Sequence, residues 1–225
     1  MALCLARPAL AAVAASLLLA LTGCSPDKAP APAAETAAQP QPAAEVFDPA
    51  ALKPPAGAPV ALVEFADLQC PACAAANPLL NAAVARYRIP WVRHDFLIPA
   101  HNWSRQAAIN ARWFDLQNRA LGDEYRDQVF AGQNTIFTPD ALRQFTEKFA
   151  ADHKIGFPFA VDPQGKLEAE VMADNDLGKR TGIQETPTVF VVTAGGKGAP
   201  FVHVRDFRSG LNPAIERALA DATGK

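Results

Sequence analysis

The sequence predicts an α/β domain on a mixed central sheet, with a block of helices between its second strand and its later ones. Three observations predict it. A short apolar, β-branched run at 59–66 stands just ahead of a proline-started helical stretch, and a second strand-like run follows at 91–99. After about 80 residues of helical periodicity the chain returns to a strand at 189–193, a glycine-rich turn and a strand near 201–206. A last helical stretch, about 212–222, closes the chain. Strands and helices in this order are α/β patterning, and no internal repeat points to a solenoid.

Ahead of this domain the chain carries an address. One cation, Arg7, precedes an uncharged apolar stretch at 9–21 that ends in Leu21-Thr22-Gly23-Cys24. A cationic start, a short apolar core and small residues at the end mark an export signal, and about 13 residues are too few to span a bilayer. Leu-Thr-Gly-Cys also resembles the lipobox of bacterial lipoproteins, which implies removal of 1–23 and lipid attachment at Cys24; an ordinary cleaved signal is the alternative. Either way the working compartment lies outside the cytoplasm. The resemblance implies a periplasmic domain held to a membrane by its N-terminal lipid. Ser25 stands where an inner-membrane retention signal would have Asp, which favours the outer membrane.

Residues 24–58 are rich in Ala, Pro and Gln, include Pro54-Pro55 and show no apolar periodicity. Such a stretch buries too little surface to offset the entropy of ordering, so it reads as a semi-extended tether. At about 3.1 Å per residue it would reach on the order of 100 Å. Residues 59–225 then form one domain. With 1–23 removed only Arg7 leaves the charge count, so 20 cations face 23 anions, a net charge of −3. That balance argues against nucleic acid or an anionic lipid surface as a partner.

Of the four cysteines, Cys4 leaves with the signal and Cys24 takes the lipid, so Cys70 and Cys73 alone remain in the domain. A disulfide across so short a loop would add little as a staple. Zinc needs four ligands, and no second Cys or His pair at ligand spacing accompanies these two. A redox dithiol fits better. The context agrees, because Cys70 falls between the strand at 59–66 and a helix that begins at Pro71 and runs to about Tyr87. At a helix N-terminus a thiolate meets free N–H groups and the positive end of the dipole, so Cys70 is the expected attacking sulfur. Cys73, one turn on and deeper, is placed to resolve a mixed disulfide.

Glu64-Phe-Ala-Asp-Leu-Gln-Cys-Pro-Ala-Cys73, the downstream Thr186-Pro187-Thr188 and the strand after it resemble the thioredoxin superfamily, in particular its DsbA-like periplasmic branch. The resemblance covers most of the chain after the tether. It implies a thioredoxin-like fold with a helical insertion at about 100–180, an active-site helix kinked at Pro78, and a cis-proline loop at Pro187. It implies thiol-disulfide exchange with cysteine-containing exported proteins, no cofactor, no metal, and a membrane or periplasmic redox partner of unidentified nature. In that setting Cys70, Cys73, Glu64 and Pro187 are the catalytic candidates, and Thr186, Pro71 and Ala72 line the substrate side.

The physics of these roles stands beside the family. X-Pro bonds are the ones that adopt cis at tolerable cost, and a cis Pro187 would expose the Thr186 backbone for pairing with an extended peptide. Glu64 lies inside an apolar strand, where burial raises a carboxyl pKa and suits it to move the proton of Cys73; a surface Glu at a strand end is the alternative. His94 and His101 read as packing or surface residues. Phe145, Phe149, Leu167 and Val171 read as core, on helices expected at 101–118, 138–151 and 163–179, and 157–161 reads as a short buried turn.

An oxidase acting as a monomer is the leading expectation, since the tether offers no dimerisation domain. A reductase or disulfide isomerase uses the same chemistry in another direction. A Cu(I)-handling module and a non-catalytic tethered binding domain are alternatives of other classes. The DsbA-like motif usually carries His where this chain has Ala72, so one group that stabilises the Cys70 thiolate is missing and a milder oxidant is expected. Ala72→His should therefore lower the Cys70 pKa, read from thiolate absorbance against pH; equal values in the two proteins would refute this.

Overall fold

The computed structural model describes residues 52–196 and 198–223. The signal at 1–23, Cys24 with its proposed lipid, and most of the tether lie outside the described residues. The fold lies within the unit Pro42–Lys225. Its elements run β1 (Val60–Ala66), α1 (Pro71–Tyr87), β2 (Trp91–Asp95), α2 (Ser104–Gln117), α3 (Arg119–Gly132), α4 (Pro139–Asp152), α5 (Lys166–Thr181), β3 (Thr188–Thr193), β4 (Phe201–Val204) and α6 (Leu211–Ala222).

The four strands lie in the order β2-β1-β3-β4, with β1 parallel to β2 and antiparallel to β3. β1 is buried along nearly its whole length because it is central and covered on both faces. Alternation divides its side chains. Val60 and Leu62 meet Ala76, Leu80 and Ala83 of α1 and Leu211, Ile215 and Ala218 of α6. Ala61, Val63 and Phe65 meet Phe96, Ile183, Phe190 and Leu52 on the other face. Leu52 is 1% exposed, so the packed core draws on residues ahead of 59. Glu64 shares its parity with Val60 and Leu62, which puts a carboxyl on the face that α1 covers.

The helical insertion is α2–α5. Its core gathers Ala107, Ala111 and Phe114 of α2, Tyr125 and Val129 of α3, and Leu142 and Phe149 of α4, and it is continuous with Leu68, Cys70 and Cys73. Ion pairs fasten it to the sheet. Arg112 of α2 lies 2.6 Å from both Asp95 at the end of β2 and Asp174 of α5, and Asp174 also lies 2.9 Å from Nδ1 of His94. His94 thus sits in an ionic cluster and stacks on Phe65 besides.

Several expectations are corrected. Strand β2 stops at Asp95 and not near 99, because the Ile98 N–H turns aside to the Asp67 carboxylate at 2.8 Å. Helix α3 was not expected; Asn118 is extended, ends α2 and caps α3 by accepting from the Ala120 N–H, so two helices abut where one fading helix was read. α5 begins at Lys166, later than 163, behind a left-handed Gly165. The 157–161 turn is not buried: Phe157 packs edge-on to Trp113, while Phe159 projects fully into solvent.

Gly178 lets α5 lie close on the sheet, since a Cβ there would fall against the rings of Phe96 and Phe65. Gly178→Ala should destabilise the domain by roughly 1–3 kcal/mol through overpacking, seen as a lower urea midpoint at unchanged slope.

Candidate active site

Cys70 is the N-cap of α1, held extended by the following Pro71 at N1 (φ −77°, ψ 120°). The turn before it is tied down by Asp67, whose side chain is fully buried. Oδ1 of Asp67 accepts from the Gln69 N–H at 2.7 Å, Oδ2 accepts from Ile98, and the backbone carbonyl accepts from the Cys70 N–H at 3.0 Å. Nδ1 of His101 lies 3.0 Å from Oδ1 of the same carboxylate. From the insertion, the Gln133 amide donates to the carbonyls of Leu68 at 2.7 Å and Cys70 at 3.1 Å. The side chain of Gln69 accepts from the Trp103 N–H at 2.9 Å, tying the loop to the start of α2.

The Thr186–Pro187 bond is cis, and it brings the Thr186 carbonyl within 3.3 Å of the Cys70 thiol, which donates to it. The Thr186 hydroxyl is buried without a partner among the described residues. Both sulfurs are buried, and their electrostatic surroundings differ in sign. Cys70 is 8% exposed and Cys73 is fully buried. The Cys73 thiol and the backbone N–H groups at the start of α1 favour the Cys70 thiolate against the cost of its burial, lowering its pKa from 9.0 to about 5. Burial, the bond to Cys70 and the negative charge of Glu64 drive the Cys73 pKa far upward.

Glu64 is 1% exposed and neither carboxylate oxygen has a partner among the described residues. Burial raises its pKa from 4.5 to about 7, opposed by the Arg93 guanidinium and the Trp91 indole and helped by Asp127. Pro78 lies inside α1, where it removes the bond that its N–H would have made to the Ala74 carbonyl. Cys70, Cys73, Thr186 and Pro187 therefore meet at one spot, flanked by Pro71 and Ala72, which are exposed, and Glu64 is close enough to act on Cys73 electrostatically. Asp67 and Gln133 were not assigned from sequence. Asp67 stands within the motif, and a carboxylate between an apolar strand and a helix start was the available signal; Gln133 had none.

The titration has a definite sign. Because the folded Cys70 pKa lies below the unfolded value, the reduced protein gains stability as pH rises above about 5 and loses it on acidification through that value. The difference between reduced protein and Cys70→Ser in urea midpoints should grow over that rise, and iodoacetamide trapping of Cys70 should be half-maximal near pH 5. A midpoint near the ordinary thiol value would contradict the geometry.

Solved structures share this fold. α-DsbA1 of Wolbachia pipientis is 15% identical, with a TM-score of 0.61 over 76% of this chain and 91% of that one. BdbD of Bacillus subtilis, in oxidised form, is 17% identical, with a TM-score of 0.58 over 80% and 98%. A periplasmic thioredoxin-like protein of Salmonella enterica serovar Typhimurium is 19% identical, with a TM-score of 0.57 over 76% and 95%. Among curated proteins, Na(+)/H(+) antiporter NhaA 3 of Salinispora tropica is 30% identical over 140 residues; these are 61% of this chain, which spans about a fifth of that relative (21%). The family model described as Thioredoxin matches residues 56–194, more than half of the chain, and the chain belongs to that thioredoxin family.

Proposed function

We propose that this protein is a thiol-disulfide oxidoreductase that oxidises cysteine-containing exported proteins through Cys70-Pro71-Ala72-Cys73. The observation that carries the reading is the split between the sulfurs: Cys70 ionises at about pH 5 beside the Thr186 carbonyl, while Cys73 stays a buried thiol near Glu64. Exchange needs this asymmetry. The sulfur that forms the mixed disulfide must be open to a partner and a good leaving group, and the sulfur that closes the ring must be sheltered from outside thiols.

In the oxidising direction a substrate thiolate attacks Cys70 of the Cys70–Cys73 disulfide. A sulfur–sulfur bond forms between substrate and Cys70, the Cys70–Cys73 bond breaks, and Cys73 leaves as a thiolate that takes a proton from Glu64. A second substrate thiolate then attacks the substrate sulfur of the mixed disulfide, and Cys70 leaves as a stabilised thiolate. Substrate has lost two electrons and the dithiol has gained them. A separate redox partner in the membrane or periplasm restores the disulfide. The Thr186 backbone beside Pro187 offers main-chain groups to an extended substrate, and Pro71 and Ala72 border the approach.

This reading places the protein in the periplasm, working as a monomer on a lipid at Cys24 with the outer membrane preferred, and without cofactor or metal. The periplasmic provenance of the Salmonella protein supports the compartment. No described helix is long and apolar enough to cross a membrane.

Equilibration with glutathione, quantified by alkylation, tests the direction. A potential well above about −270 mV is expected, and one at or below it would make the protein a reductase. Cys70→Ser should abolish turnover, and Cys73→Ser given a disulfide-bonded substrate should accumulate a mixed disulfide, the Cys70 thiolate attacking the substrate disulfide with release of one substrate thiolate and no Cys73 to resolve it. Turnover that survives Cys70→Ser would defeat the assignment altogether.

A further inference from the structure

Among the described residues seven buried side-chain nitrogen and oxygen atoms lack a hydrogen-bond partner. Five belong to four residues, Glu64, Asn77, Trp91 and Arg93, supplied by β1, α1 and β2. Each orphan costs on the order of 1–3 kcal/mol, so their concentration in one place calls for a cause. Arg93 supplies it. In the β1/β2 register it stands opposite Glu64 and so points to the same face, within reach of that carboxyl. A guanidinium beside a buried carboxylate ordinarily forms a two-pronged pair with it.

Here it is turned elsewhere. Arg93 lies over the Trp91 ring, 3.6 Å from its centroid, and its Nη2 donates to Oδ1 of Asp127 on α3 at 3.1 Å. The same Oδ1 accepts from Nδ2 of Asn77 at 3.0 Å, and Asp123 stands 3.6 Å from Nη1. The Arg93 side chain is 8% exposed and that of Asp127 35%, so the grip comes from the solvent side of a buried cation.

We propose that Asp127 is a positioning residue of the exchange reaction: by holding the Arg93 guanidinium toward α3, it leaves the Glu64 carboxyl unpaired and free to exchange a proton with Cys73. The inference rests on the thiol-disulfide reading above and adds to it a residue of the helical insertion. The ionisable and polar groups bearing on Glu64 are Arg93 and Trp91 from β2, Cys73 from α1, and Asp127 from α3; on β3 the opposite residue is Val189. Burial raises the carboxyl pKa to about 7, so near neutral pH it can both give and take a proton, and the Asp127 charge acts in the same direction as burial. Removing Asp127 takes away that charge and releases a cation toward Glu64. Both changes favour the carboxylate.

The step affected is closure of the ring: Glu64 takes the Cys73 proton, Cys73 attacks Cys70 of a mixed disulfide, the Cys70–Cys73 bond forms and the outside thiolate leaves. The test uses the full-length reduced protein labelled with carbon-13 at Glu side chains, the Glu64 signal being assigned by its loss in Glu64→Gln. Asp127→Ala should lower the Glu64 midpoint by roughly one pH unit or more, and adding Arg93→Gln should restore it. Resolution of a preformed glutathione mixed disulfide should shift its pH profile the same way. Asp127→Asn keeps the acceptor for Arg93 and Asn77 and should shift less; it also carries the test if the Ala variant does not fold. An unmoved or raised midpoint in either variant, or a fall that Arg93→Gln does not reverse, overturns the proposal. Glu64 titration is read without turnover, so a wild-type protein unable to exchange disulfides would defeat the functional reading and leave this result to be judged separately.

Discussion

The N-terminus of α1 sets two sulfur atoms, one turn apart, in unlike dielectric surroundings, and the rest of the site serves that contrast. Cys70 caps a helix and meets its unsatisfied N–H groups, which favour negative charge. Cys73 lies inside the core above the central strand, where ionisation is opposed by burial and by Glu64. The contrast needs β1 at the centre of the sheet, because only a strand covered on both faces can hold a carboxyl with no partner beneath a helix. Displacing α1 outward by a turn would hydrate Cys73 and Glu64 and erase the difference between the sulfurs.

Much of the fold was legible because its signals are local. A run of β-branched residues, a proline at a helix start and a glycine-rich turn each act within a few positions, and β1, α1, β3 and α6 accordingly fall close to their expected places. Helix α3 was missed although Leu121, Tyr125 and Val129 recur at four-residue spacing, since Gly122, Asp123 and Glu124 interrupt the stripe. Phe159 misled because an apolar residue between apolar neighbours reads as core, whereas only its neighbour Phe157 found rings to pack on.

Within the site, the residues near Cys70 in sequence were legible and their partners across the fold were not. Cys70, Cys73 and Glu64 belong to one continuous motif, and Thr186-Pro187 announces itself by composition. Asp67 was visible but ambiguous. Gln133, Arg93 and Asp127 acquire meaning only through register and helix packing, which place residues 63 and 34 positions apart in hydrogen-bond contact. His94 and His101 read as packing or surface residues, and each lies against a carboxylate, the half-buried Asp174 and the fully buried Asp67, a pairing that no local pattern encodes.

The insertion is joined to the sheet in two chemically different ways. Around its flank the ties are ionic, through Arg112 with Asp95 and Asp174, and through Arg93 with Asp127. At the reactive loop the ties to the insertion are neutral amides, Gln133 spanning two carbonyls and Gln69 accepting from the Trp103 N–H. An amide does not titrate, and dissolved ions screen it little. Changes of acidity or salinity would thus act on these flank ties before they acted on the amide links between the insertion and the loop that aims the sulfur.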